Sequence, residues 1–306
     1  MEHGKRKIKN VGLDIGNTTT ISFTDDNYNI VESRVIKSND LLKLSNNDKV
    51  TLFNDEYLIG LGEYENNLYK YDKENFEILF KYSLGKILES ETNINLCIGI
   101  PCNQFNNARK SELMEVIRKY KNFNVEINGA SKNINIENVI IRPEGYPVYS
   151  MVKATNKLID KLPSVVIDIG GGTTDISSYD HLGKFIGGDS INIGLNDLYK
   201  TVQNYVISYH KNWSNFTIEQ AKELCRGLLY IDINLSDCYT TIFNKIWNNI
   251  IGINSNIVNY NVILIGGGST DFKLYFKEKC KNLIVNEDIT SNAKGFYLLS
   301  KELYGE

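Results

Sequence analysis

Histidine is scarce, with three in the chain (His3, His181 and His210), and the five cysteines (Cys97, Cys102, Cys225, Cys238, Cys280) include no Cys-x-x-Cys pair. That combination supports neither a zinc site nor a disulfide framework, and the cysteines read as small core hydrophobes in a reducing cytoplasm. A basic excess is also missing: the formal net charge is −3. A dedicated nucleic-acid binder usually carries the opposite sign on its binding face. Lys5, Arg6, Lys7 and Lys9 form the one basic cluster near the N-terminus and read as a solvated arm. No apolar run reaches transmembrane length, and the first residues do not read as a signal peptide. What remains is a soluble globular composition, 42% hydrophobic and 23% charged over 306 residues, enough for two domains. Heavy use of Asn, Lys, Ile and Tyr over Ala, Arg and Pro is that of an AT-rich bacterial genome.

Strands and helices alternate along the chain. "KIKNVGLDI" (7–15) has Val11, Leu13 and Ile15 on one face of a strand, Gly16-Asn17 turns it, and the β-branched "TTTISFT" returns. Residues 28–64 alternate polar and apolar and suggest a small antiparallel sheet. "ENFEILFKYSLGKILES" has helical spacing at Phe76, Leu79, Phe80, Leu84, Ile87 and Leu88. "INLCIGIPC" (94–102) is a buried strand stopped by Pro101, and "NARKSELMEVIRKY" an amphipathic helix. "NVIIRPEGYPVYSMVKATNKLI" passes from strand to turn to helix, with Pro147 in the first turn. A strand "VVIDI", a second strand "DISSYD" and a glycine-bearing loop "GKFIGGDS" come next. Helices then run to about residue 255. "NVILIGGGST" (261–270) is a strand ending in glycines, and "TSNAKGFYLLSKELYG" a closing helix. Alternation with all-apolar strand cores indicates an α/β fold.

Two stretches echo each other about half the chain apart, "VGLDIGNTTT" (11–20) and "VVIDIGGGTTD" (165–175). Each is an apolar strand, Asp, Ile, Gly, turn residues and threonines, so the chain reads as two related halves that each open on a hairpin. Glycine lets backbone N–H groups approach an anion, successive N–H groups form an anion-binding concavity, and threonine adds donors. Asp14 and Asp168 beside such a nest imply a hard divalent cation, and Mg²⁺ needs only one or two carboxylates beside phosphates. One Asp-x-Gly turn alone is ordinary hairpin chemistry. Two copies, with a third glycine-rich strand end at Gly266, Gly267 and Gly268, favour a metal–nucleotide gripped from two sides of a cleft. A Rossmann site is excluded because the glycines do not follow G-x-G-x-x-G, and no G-x-x-x-x-G-K-[ST] P-loop occurs.

In sequence order these stretches resemble the five nucleotide motifs of the actin-like ATPase superfamily, and within it the bacterial plasmid-segregation actins of the ParM type. "LDIGNTTT" and "IDIGGGTTD" are similar to the two phosphate motifs, "LIGGGS" (264–269) to the adenosine motif, and "RPEGYP" and "SNAKG" to the two connecting segments. The resemblance implies a duplicated actin-like (ribonuclease H-like) α/β fold around a nucleotide cleft. Domain I would span 1–155, with a small subdomain at about 28–90 and closure by a helix at 290–306; domain II would span 156–289, with a helical subdomain at about 190–255. It further implies ATP with Mg²⁺, ADP after hydrolysis and GTP left open. Asp14 and Asp168 would hold the metal, mainly through water. Gly16, Asn17, Thr18, Thr19, Gly170, Gly171, Gly172 and Thr173 would cradle phosphates, and Gly266, Gly267, Gly268 and Ser269 would pass beneath adenosine. "TIEQAKELCRG" (217–227) is similar to the helix beside adenine and ribose, with Glu219 and Lys222 as candidates; an ordinary solvated pair on one helix face fits equally well. Gly187 and Gly188 would approach ribose or phosphate, or serve a plain loop. Glu144 sits where the superfamily places the residue that orients attacking water, although a helix N-terminus stabilises a carboxylate there in any case. Asp175 would assist that water or close its turn.

Fold alone does not give function. The filament-forming ATPase reading implies self-association, plasmid segregation and a DNA-binding adaptor (ParR-like) at filament ends, with no direct nucleic-acid contact. A small-molecule kinase is the alternative, because "DIGNTTT" is also similar to the opening of type III pantothenate kinases. A cell-shape or division actin would reach membrane through an amphipathic end, for which "SKELYGE" is short and polar. A chaperone would require a peptide-binding domain.

Overall fold

The computed structural model describes residues 8–38, 46–65, 69–209 and 213–305. Lys5, Arg6 and Lys7 of the basic arm, His3, His210 and residues 39–45 of the small-sheet segment lie outside the described residues. The chain divides into two compact units, Met1–Thr155 with Ile289–Glu306, and Asn156–Asp288.

The first unit is built on one sheet. Its strands are β1 (Ile8–Ile15), β2 (Thr19–Phe23), β3 (Tyr28–Glu32), β4 (Arg34–Lys37), β5 (Lys49–Leu52), β6 (Asp55–Tyr64), β7 (Glu91–Ile100), β8 (Asn122–Ile127) and β9 (Ala130–Pro143). They lie in the order β3-β2-β1-β7-β9-β8-β5-β6-β4. The segment expected as a separate small sheet is therefore continuous with the main one: β3 pairs with β2, while β5 reaches β8 at Val50↔Ile127 and Thr51↔Glu126. Helix α1 (Phe76–Ile87) is buried on nearly every side, not only on the face that its spacing indicated. Helix α2 (Asn107–Lys119) starts at Asn106, whose side chain accepts from the Arg109 N–H. Helix α3 (Tyr146–Ala154) follows β9.

The second unit repeats the scheme on a smaller scale. β10 (Ser164–Ile169), β11 (Thr174–Tyr179), β12 (Phe185–Ile191), β13 (Asn261–Ile265) and β14 (Asn282–Val285) form the sheet β12-β11-β10-β13-β14. The pairing types match β3-β2-β1-β7-β9: two antiparallel pairs, then two parallel ones. "GKFIGGDS", expected as a loop, is largely strand β12, because its backbone pairs along β11 from Thr174↔Ile191 to Tyr179↔Phe185. Helices α4 (Leu195–Tyr209), α5 (Ile218–Cys225), α6 (Ser236–Ile253) and α7 (Ser269–Lys279) complete the unit. A Thr217/Gln220 capping box, legible in "TIEQ", starts α5. Phe243 centres an aromatic nest on α6 and α7, 5.0 Å from Tyr275 and 5.3 Å edge-on to Phe276.

Helix α8 (Ser291–Tyr304) returns to the first unit and packs on β1 and β7. Contact is close because the sheet presents glycine there. A Cβ on Gly12 would lie 1.9 Å from the Ala293 carbonyl oxygen, and one on Gly99 would lie 2.7 Å from the Phe296 ring. A polar seam fixes the same docking: Asn138 donates to Asn95 (2.8 Å), Asn95 to Asn10 (3.1 Å), and Ser300 of α8 to Asn10 (3.0 Å). Among the described residues no helix is long and apolar enough to cross a membrane.

Candidate functional site

The two echoing stretches fold into hairpins of one geometry. In the first, Asp14 pairs with Ile21 and Ile15 with Thr20; in the second, Asp168 pairs with Asp175 and Ile169 with Thr174. Each tip therefore has four residues, Gly16–Thr19 and Gly170–Thr173. In each, the first glycine N–H donates to the fourth residue's carbonyl at 2.9 Å. Thr18 thus holds the position of Gly172, a correspondence that the unequal glycine runs hide in the sequence.

Both tips have their carbonyls tied from within their own unit. In the first, the Ser33 N–H donates to the Thr18 carbonyl and the Ser33 hydroxyl to the Gly16 carbonyl, each at 2.9 Å. In the second, the start of α4 does the same work: Leu195 N–H donates to the Gly170 carbonyl (3.0 Å) and Asn196 N–H to the Gly171 carbonyl (2.8 Å). These bonds also satisfy two of the N–H groups that a helix start leaves open. The middle N–H groups stay open: those of Asn17 and Thr18, and of Gly171 and Gly172, have no backbone acceptor among the described residues. Two adjacent unsatisfied N–H groups on a fixed turn are an anion-binding concavity.

Carboxylates flank both tips. Asp14 and Asp168 are half-buried at equivalent positions. Asp168 faces Asp175 across the strand pair, and like charges opposite one another are unfavourable unless a cation or donor intervenes. Asp175 accepts the Thr173 hydroxyl at 3.0 Å, which supports its turn-closing role. Among the described residues no three His, Cys, Asp or Glu side chains converge as a metal cage. The donor set fits Mg²⁺, which keeps its waters and phosphate ligands and needs few protein carboxylates.

Glu144 lies in the first unit, where β9 ends. It is buried, 6% exposed, and its N–H donates to the Ile100 carbonyl at 2.9 Å. Leu13↔Ile98 and Ile100↔Pro143 set Glu144 level with Gly16, two strands away, or roughly 10 Å at normal strand spacing. Both thus belong to the carboxyl-end edge of the parallel strands, where ligands bind in α/β sheets. Gly145 (φ 80°) turns the chain into α3, and its N–H donates to Asn292 Oδ1 at 3.2 Å. "RPEGYP" and "SNAKG" therefore meet, and a Cβ on Gly295 would lie 2.4 Å from Pro147 Cβ.

In the second unit the three glycines after β13 divide their duties. Gly266 (φ +84°) lets the chain pass Asp168, whose Oδ1 would lie 2.2 Å from a Cβ there. Gly268 packs on Ile169, leaving Gly267 as the exposed member. Ser269 is buried in the first turn of α7 and is not presented beside Gly267. Glu219 is exposed and Lys222 half-buried on α5. Gly188 and Gly187 pair with Ser177 and Ser178, three and four positions along β11 from Thr174, and are not gathered with the hairpin tip. Sequence reasoning missed Lys73, which reaches the first tip: its Nζ donates to Asn17 Oδ1 at 2.6 Å.

Two α/β units that each open on this hairpin make an actin-like fold. Residues 12–146 match the family model for the N-terminal domain of actin-like proteins. Solved structures similar to the chain include the apo ParM protein of pSK41, 20% identical, covering 97% of this chain and 98% of that one at TM-score 0.72. A 15-stranded ParM filament from Clostridium botulinum is 19% identical, with coverage of 97% and 99% and TM-score 0.76. Ta0583, an archaeal actin homologue in complex with ADP, is 17% identical, with coverage of 95% and 99% and TM-score 0.79. Superposition at these TM-scores over nearly the whole chain, at identities of 20% or less, establishes the fold alone. A comparison with curated proteins found no match.

Proposed function

We propose that the chain is an actin-like ATPase that binds a magnesium nucleotide through its two hairpin tips, polymerises, and drives plasmid DNA segregation in the bacterial cytoplasm. The reading rests above all on one observation: each unit presents the same four-residue tip with two adjacent open N–H groups and an aspartate one residue before it. One such turn is ordinary; two in one register suit a polyphosphate with its cation. The ADP complex of the archaeal homologue and the ParM filament support nucleotide and polymer in turn. ATP is the favoured nucleotide, with GTP the other purine to test.

Asp14 and Asp168 would hold the magnesium through its water, with Asp175 beside Asp168. The tip N–H groups and the hydroxyls of Thr18, Thr19 and Thr173 orient phosphate. Gly267 would pass beneath the adenosine, with Glu219 and Lys222 beside adenine and ribose. Bound Mg²⁺ supplies charge neutralisation at the phosphates. Glu144 positions the attacking water: it is a buried carboxylate at the level of the first tip, held by backbone at β9 and Gly145. The net charge of −3 agrees with DNA being reached through a DNA-binding adaptor (ParR-like) and not directly.

Nucleotide titration and phosphate release on wild type and Glu144→Ala test the site. The variant is expected to bind Mg-ATP within about threefold of wild type and to lose hydrolysis by about 100-fold or more. Normal turnover in Glu144→Ala would remove that residue from the mechanism, and phosphorylation of an added metabolite would favour a kinase.

A further inference from the structure

The segment leading into α1 carries a lysine that belongs to none of the five motifs. Lys73 is buried, 7% exposed, although lysine normally extends its head to water. Its Nζ lies 2.6 Å from Asn17 Oδ1, on the tip of the first hairpin. The backbone that carries it is fixed on both sides. Before it, Tyr71 donates to Glu112 (2.8 Å) and Arg109 stacks over Tyr69 at 3.7 Å; after it, the Phe76 N–H donates to the Lys73 carbonyl (3.1 Å). One four-residue tip therefore bears two open N–H groups and a pinned ammonium.

These two kinds of donor differ in what they can distinguish. Both gain with phosphate charge, but a charge–dipole attraction falls off with the square of distance and a charge–charge attraction only with distance, so the ammonium senses the added charge of a further phosphate from farther away. We infer that Lys73 is a phosphate-positioning residue of the first hairpin, anchored by Asn17, that sets the preference for a nucleoside triphosphate over the diphosphate. This inference rests on the nucleotide reading above.

Mg-ATP and Mg-ADP affinities of wild type, Lys73→Met, Lys73→Arg and Asn17→Ala test it, with thermal melting as the check on folding. Lys73→Met is expected to weaken ATP about tenfold or more and ADP by less than about threefold, with Lys73→Arg recovering part of the loss. Should Lys73→Met not fold, Asn17→Ala carries the test, since it frees the ammonium from the tip and is expected to shrink the ATP-to-ADP ratio by at least about threefold. A ratio unchanged in these variants, whether both affinities fall together or neither moves, overturns the inference and leaves the nucleotide reading standing. A wild type that binds neither nucleotide overturns both.

Discussion

Gly266 is glycine for two separate reasons. Its φ of +84° is open to few other residues, and any Cβ would lie 2.2 Å from Asp168 Oδ1. Gly266→Ala therefore adds left-handed strain to a steric overlap, and about 2–4 kcal/mol of stability should be lost. Denaturant unfolding checks this, and a midpoint equal to wild type would deny the close approach. Asp48 yields a second prediction at this scale. Burial raises its carboxyl pKa, but hydrogen bonds from Lys86 (2.7 Å), Tyr82 (2.6 Å) and Asn128 (2.7 Å) outweigh that and hold it below the ordinary value. A depressed pKa contributes stability that is complete above the unfolded carboxylate range and is lost as pH falls through the folded value. The stability gap between wild type and Asp48→Asn should thus be constant from about pH 5 to 7 and close below about pH 4. A gap independent of pH would mean that the carboxylate's charge contributes nothing. Individual contacts of this kind are not legible in the sequence: nothing in the pattern links Asp48 to Asn128, or Lys73 to Asn17.

Elements were legible where a pattern had one meaning. The runs in β1, β7, β10 and β13, and the helical spacing in α1, α2 and α8, each named their element. The misreadings have physical causes. β8 and β9 flank Asn128-Gly129, a two-residue turn with φ 51° and 82°, and that Asn-Gly pair is the sequence signal for their hairpin. Gly187 and Gly188 weaken a strand locally and so give β12 the pattern of a loop, yet an edge strand tolerates them while β11 supplies the pairing. Helix α8 yields the prediction for this scale. Gly12→Ala would thrust a methyl against the Ala293 carbonyl and move the helix off β1, whereas alanine on an ordinary strand is harmless. A loss of about 1–3 kcal/mol is expected, with faster amide exchange in α8. Unchanged exchange across 291–304 would mean that the helix does not depend on this approach.

The whole molecule is a doubled design in which each unit has a five-stranded pattern, a hairpin tip and an aspartate before it. That much was visible in the echo of "VGLDIGNTTT" and "VVIDIGGGTTD". The sequence could not show that both tips have four residues, nor that their carbonyls are tied while the middle N–H groups stay open. Those facts turn two suggestive strings into two matched four-residue turns, on which the proposed phosphate site rests. Polymer contacts were not legible, because exposed apolar residues such as Tyr230 and Leu228 stand out only after folding. The central claim is that nucleotide held by these turns governs assembly, and pelleting of the pure chain with Mg-ATP, Mg-ADP and a nonhydrolysable ATP analogue tests it most directly. The account predicts polymer with ATP and the analogue, little with ADP, and disassembly as ATP is consumed. A chain that binds nucleotide yet stays in the supernatant under every condition would contradict it.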